Sequence, residues 1–209
     1  MTRDEIVTLL QYRCGDRNDL GPKILAEMKM VQTQILEEHP WLPWFCETSL
    51  TIPTALVSGT ETLVLPTDFL REIEDERIWL VNSLGSKREL DKYASGQIRT
   101  RFALNGSPAA YALLASDILF RPIPEENYTI EWRYYGAQAD MSATAGTTPW
   151  TQYASAVVIA EVGAVIAGRH ILNPTLEAQF RNDATVAWDN LYKKHEARQD
   201  VNREPVLGG

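Results

Sequence analysis

The stretch Thr148–Gly168, TPWTQYASAVVIAEVGAVIAG, decides the fold, because helix signals return there after a long strand-like region. Thr148-Pro149 places an N-cap side chain before a proline, which is tolerated at the first helical position. Ala156, Ala160, Ala164 and Gly168 then form a row of small residues four apart, which lets neighbouring backbones approach closely. Tyr153–Gly168 is the most apolar run in the chain. It is too short for a membrane span and carries Glu161 in its middle, so it reads as the buried centre of a helical bundle.

A second such signal follows at Asn173-Pro174. Leu176, Phe180, Ala184, Ala187 and Leu191 give the next helix one apolar line. At the other end of the chain, Thr2-Arg3-Asp4-Glu5 fits a capping box, with Ile6, Leu9 and Leu10 behind it. Residues 15–19 (GDRND) break that helix. The next one carries Pro22 in its first turn and an apolar face of Ile24, Met28, Val31 and Ile35, ending near His39-Pro40.

Between the helical ends the period changes to two. Leu50 and Ile52, Leu63 and Leu65, Ile78–Val81, Tyr111–Leu114, Ile118–Arg121 and Tyr128–Tyr135 read as short strands separated by Gly, Pro, Asp and Asn. In the last of them Ile130, Trp132 and Tyr134 share one face, opposite Glu131 and Arg133. Residues 91–102 fit a short helix or a loop.

These readings predict an α+β, mainly helical fold: a four-helix bundle built from N-terminal and C-terminal helix pairs, with a small antiparallel β insert between them. The expected boundaries are a helical hairpin at 1–40, the insert at 41–136, a linker of small residues at 137–148, the second helix pair at 149–198, and a loose polar tail at 199–209.

Composition narrows the function. The chain has 209 residues, of which 44% are hydrophobic and 23% charged, an ordinary globular balance. Its start has no basic segment followed by an apolar run, so no signal peptide is expected. Two cysteines, Cys14 and Cys46, cannot supply a disulfide framework, and with three scattered histidines they suggest no zinc site. A formal net charge of −8 argues against a protein whose main task is gripping nucleic acid, though not against one that DNA slides past.

Candidate chemistry is thin. Glu37-Glu38-His39 could suggest an acid/base or metal cluster, but consecutive helical residues point in different directions, so a solvated helix end is the better reading. The acidic run Glu72, Glu74, Asp75 and Glu76 lacks the alternating ligands and central glycine of a calcium loop. It reads as an exposed face that could meet a basic partner. Lys87, Arg88, Lys92, Arg99 and Arg101, with Tyr93 and Phe102, form the best basic cluster, but Glu89 and Asp91 interrupt it. A charged surface is the first reading, a subunit contact the second and nucleic acid the third. Cys14 lacks a neighbouring base, and His170 and His195 sit in different helices with nothing to mark them as ligands. Trp41, Trp44 and Phe45 either plug a junction in the core or anchor an interface. No phosphate loop, nucleophile elbow or zinc-protease helix is present, and no cofactor is implied.

The order of motifs carries a resemblance. A helical hairpin is followed by Pro40-Trp41-Leu42-Pro43-Trp44, then by Leu63-Val64-Leu65-Pro66-Thr67-Asp68-Phe69. Gly106-Ser107-Pro108-Ala109-Ala110-Tyr111, Ile118-Leu119-Phe120-Arg121-Pro122, Tyr134-Tyr135-Gly136 and Thr148-Pro149-Trp150 follow in turn. This set resembles the head-to-tail adaptor proteins of tailed phages, also called connector or tail-tubular adaptors.

The resemblance implies a non-enzymatic virion protein at the head-to-tail interface, made in the host bacterial cytoplasm. It implies a ring of twelve copies below the portal, with tail nozzle or tube proteins beneath and DNA passing through without specific binding. The tail, represented by Arg198, Val201, Arg203, Pro205, Val206 and Leu207, would contact the portal. The row Ala156, Ala160, Ala164 and Gly168 would pack subunits. The alternatives are a virion-associated cell-wall hydrolase, with its carboxylate pair among 28 acids, and a nucleic-acid-binding module using Arg99 and Arg101.

Overall fold

The computed structural model describes residues 1–74 and 76–202, with side chains throughout except at 51–55 and 199–202. Contacts divide the chain into two compact units. One comprises residues 1–46 with 138–209, and the other residues 47–137.

The helical unit opens with α1 (Arg3–Arg13), whose capping box forms as the sequence predicts: Glu5 N–H donates to Thr2 Oγ1, and Thr2 N–H donates to Glu5 Oε2. A 3₁₀ turn at Asn18–Leu20 leads into α2 (Gly21–Val31), which buries Ile24, Met28 and Val31. A π-helical turn, Gln32–Leu36, follows directly. Its one extra residue rotates the register, so Leu36 is fully buried where a continuous α-helix would have buried Ile35. Gln32 is buried too. Its Nε2 donates to the carbonyls of Gln138 and Ala139 and to Glu37 Oε1, while Met141 N–H donates to its Oε1.

The C-terminal part of this unit holds α4 (Pro149–Tyr153), α5 (Ser155–Ile166) and α6 (Pro174–Asn202). Helix α5 packs against α1, α2, α4 and α6, and burial reaches most of its circumference. Its approach to α6 requires glycine at one point. A Cβ on Gly163 would lie 2.4 Å from the Phe180 ring. Phe180, Ala184, Leu191 and His195 form the inner line of α6.

Among the described residues the second unit contains nine strands: β1 (Glu47–Leu56), β2 (Thr62–Val64), β3 (Phe69–Glu72), β4 (Trp79–Val81), β5 (Lys87–Glu89), β6 (Asp91–Lys92), β7 (Ala110–Leu113), β8 (Asp117–Arg121) and β9 (Tyr128–Gly136). Helix α3 (Ser95–Arg101) interrupts them. Five strands form one sheet in the order β1-β9-β4-β5, with β3 also on β9, and four form a second in the order β2-β8-β7-β6. The alternation in β9 is as the sequence predicts: Tyr128, Ile130, Trp132 and Tyr134 point inward, with Glu131 and Arg133 opposite. They share one core with Tyr111, Ile118 and Phe120 of the other sheet, so the two sheets face each other. The far side of β7 and β8, with Ala110, Ala112 and Leu119, is covered by Ile98 of α3.

This overturns the expected four-helix bundle with a small antiparallel β insert. Among the described residues there are six α-helices and two multi-stranded sheets, an α+β fold in which the strand region is a principal part. The expected helix from Pro149 breaks at Ala154, whose φ of −129° and ψ of 28° leave the helical region without a glycine or proline to signal it. Strands β3, β5 and β6 escaped because they lack alternation; Lys87–Glu89 is exposed at every position on a sheet edge. The strand region is not wholly antiparallel either, since β6 pairs parallel with β7.

Candidate functional site

The segment after the π turn carries the densest aromatic chemistry in the helical unit. Pro40 and Pro43 exclude regular helix, and Trp44–Cys46 closes as a 3₁₀ turn. Leu42 and Cys46 point into the core, which leaves Trp41, Trp44 and Phe45 half-buried along α4 and α6. The ring of His39 stacks on Trp188 at 3.8 Å, and Trp41 meets Trp188 and Tyr192 edge-on. Phe45 packs edge-to-face on the fully buried Trp150. His195 lies beneath Trp41 and Trp44, with ring centroids 5.7 and 6.4 Å away. Trp188 Nε1 donates to Glu161 Oε1, which ties this part of α6 to α5.

Two candidates predicted separately come together here. The guanidinium of Arg198 sits 4.3 Å from the centroid of the Trp44 ring, a cation–π contact. Val201 lies within α6, and its side chain is outside the described set. Arg203, Pro205, Val206 and Leu207 lie outside the described residues altogether.

The model of the SU10 adaptor protein family matches residues 1–203, a span that takes in every described element of both units. The chain belongs to the SU10 adaptor protein family. This is a family of phage head-to-tail adaptors, and membership gives the chain a structural role in the phage particle, at the head-to-tail junction. No curated protein matches the chain.

The remaining candidates of this SU10 adaptor family member fall into place as follows. Of the small-residue row, Ala160 and Ala164 are buried within the helical unit and Ala156 is exposed. Gly168 is half-buried, and a Cβ there would meet the Glu177 carboxylate. The charged side chains of the acidic and basic runs are largely taken up within the β unit, Lys92 with Glu72 joining one run to the other; Asp75 lies outside the described residues. Glu72 accepts from Lys92 and from the Tyr111 hydroxyl. Glu76 pairs with Arg133, Lys87 with Glu131, and Arg99 and Arg121 both with Glu61. Arg88 donates to Ser107, while Arg101 lies over the Tyr93 ring, which meets Phe102 edge-on. These cations are spent inside the chain rather than gathered into one patch.

Glu37 serves Gln32 and the Gln138 N–H, Glu38 is exposed, and His39 stacks on tryptophan, so the three do not converge. His170 Nε2 faces Glu27 at 2.8 Å, beside Arg169. Burial pushes the Cys14 thiol up, against the opposing pull of Arg13 and Arg17, which is the reverse of an activated nucleophile. Among the described residues no group of three or more His, Cys, Asp or Glu could hold a metal. No helix there is long and apolar enough to cross a membrane.

Sequence reasoning missed the partners of the tryptophans (Tyr153, Trp188, Tyr192 and His195) because they come from distant α4 and α6. It also missed Leu172, described below. The only local signal for that residue is its place just before the helix-starting Asn173-Pro174.

Proposed function

We propose that the chain is one subunit of a ring that joins the portal to the tail and continues the DNA channel, with twelve copies per ring. The observation that carries this reading is the family match across residues 1–203. The geometry of α6 supports it. At 29 residues the helix is about 43 Å long, against 12 residues for its partner α5, and Arg198 on Trp44 fixes it near its far end. Residues from Arg198 onward, including Val201, Arg203, Pro205, Val206 and Leu207, then serve the portal contact. Trp41, Trp44 and Phe45 form the base that aims them. Within the row Ala156, Ala160, Ala164 and Gly168, Ala156 is the exposed member available for subunit packing. The β unit meets tail nozzle or tube proteins.

A net charge of −8 repeated around a ring gives a channel wall to which DNA does not adhere, where those acids face inward. The internal pairing of Lys87, Lys92 and Arg99 supports the same view. Electron microscopy and light-scattering mass of the protein, alone and with its portal, test the reading. A closed ring in either condition is the expected result. A subunit that stays monomeric and never binds portal would overturn it.

A further inference from the structure

Leu172 is an apolar side chain placed where two physical rules disfavour it. It is 77% exposed, and it holds the left-handed conformation, φ 57° and ψ 39°, that ends the helix containing α5. Glycine ordinarily takes that position because a Cβ is strained there. The turn is nonetheless firmly built. The N–H groups of Leu172 and Asn173 converge on the Ala167 carbonyl, Asn173 Oδ1 accepts from Leu176 N–H, and Pro174 starts α6. A strained, exposed leucine on a rigid turn is a knob held out for a partner.

Within the same helical unit a hollow lies at the opposite end of the α5–α6 hairpin. It measures about 450 Å³ and lies between the start of α5 and the second half of α6. Its apolar lining includes Ala156, Val157, Ala187 and Leu191, and Lys193 and Lys194 stand at its edge. Lys193 already pairs with Asp189, while Lys194 is exposed and has no ion-pair partner among the described residues. The knob projects from a helix C-terminus whose own basic residues, Arg169 and His170, face Glu27, so a lysine at the rim of the hollow suits the helix's last carbonyls while Ala156, Val157, Ala187 and Leu191 suit the leucine.

We propose that Leu172 of one copy inserts into the Ala156–Ala187 hollow of the next, with Lys194 facing the last carbonyls of the helix that carries the knob. Knob and hollow are different surfaces of one chain, so the contact is heterologous and builds a ring where its rotation closes. The inference rests on the ring reading above and names the contact that builds it.

The test uses the full chain, measured by sedimentation and mass photometry alone and on its portal. The wild type closes into a ring. Leu172→Asp and Ala187→Trp each stay below ring size, yet an equimolar mixture of the two forms dimers, because each pair retains one intact knob and one intact hollow. Leu172→Gly melts at or above the wild-type temperature, having shed the strain, but assembles at least tenfold more weakly. If Ala187→Trp does not fold, Lys194→Glu on the exposed rim replaces it.

A Leu172→Asp or Leu172→Gly protein that closes like the wild type overturns the proposal and leaves the ring reading standing. So does a Leu172→Asp ring that has lost only portal binding, which would assign the knob to the portal. A wild type that closes under neither condition overturns both.

Discussion

At the residue scale, the tightest constraint in the helical unit is Gly163 against Phe180. The ring occupies the space a Cβ would need, so Gly163→Ala forces the two helices apart and is expected to cost about 1–3 kcal/mol. Phe180→Leu on its own leaves a partial cavity, but combined with Gly163→Ala it gives the methyl room. A thermal-denaturation double-mutant cycle should therefore show favourable coupling between them, and additive losses would exclude this packing account. Caps were legible in the sequence because their chemistry is local: Thr2 with Glu5, Thr148 before Pro149, and Asn173 before Pro174 all form as read. Trp44 stood out in the sequence as either a core plug or an interface anchor, but its contact with Arg198 did not, since nothing local couples residues so far apart. Leu172 was invisible for another reason. Its conformation is the one a glycine or asparagine would have announced.

At the element scale, two devices govern what can be perturbed. The π turn at Gln32–Leu36 works because the Gln32 amide satisfies the backbone of residues 138–141. Gln32→Ala strands those groups and should cost about 1–3 kcal/mol, with amide exchange rising at Met141 ahead of the rest of the unit. Unchanged protection at Met141 would mean that the linker is held by something else. The facing sheets bury two tyrosines whose hydroxyls donate to carboxylates, Tyr111 to Glu72 and Tyr134 to Asp68 at 2.8 Å each. Burial first, and then the carboxylate partner, raises both phenols above their ordinary value of about 10. The folded chain therefore holds these protons after the unfolded chain has begun to lose them. Their contribution is fully present below about pH 10 and declines as pH rises towards the higher folded values. Denaturation between pH 8 and 11 should show this alkaline loss, and Tyr134→Phe should flatten it. The long alternating strand β9 was legible, since its period of two is enforced by a core on one side only. The π turn was not, because a one-residue register shift leaves no mark on composition. The charged edge strand β5 was not either, because no face of it is buried.

At the scale of the whole molecule, the family match and the reach of α6 lead to one expectation about assembly. Arg198→Ala removes a cation–π contact worth about 1 kcal/mol and should weaken portal binding roughly five- to tenfold with the circular dichroism unchanged. Portal affinity equal to the wild type would dissociate this end of α6 from the contact. The expected bundle failed at this scale because helical periodicity marks where helices lie, not how much core the intervening strands build for themselves. The division into one continuous and one discontinuous unit also dictates an order of events during synthesis. Residues 47–137 are all available before α5 and α6 leave the ribosome, so the sheets can fold while the helical unit still lacks its centre. Folding that segment first brings its two ends together and shortens the loop that α1 and α2 must close to meet α5. The surfaces carrying Leu172 and Arg198 are thus completed last. On the contact proposed above, a chain that has not yet made the second half of α6 has no hollow to offer, so two nascent subunits cannot dock on each other.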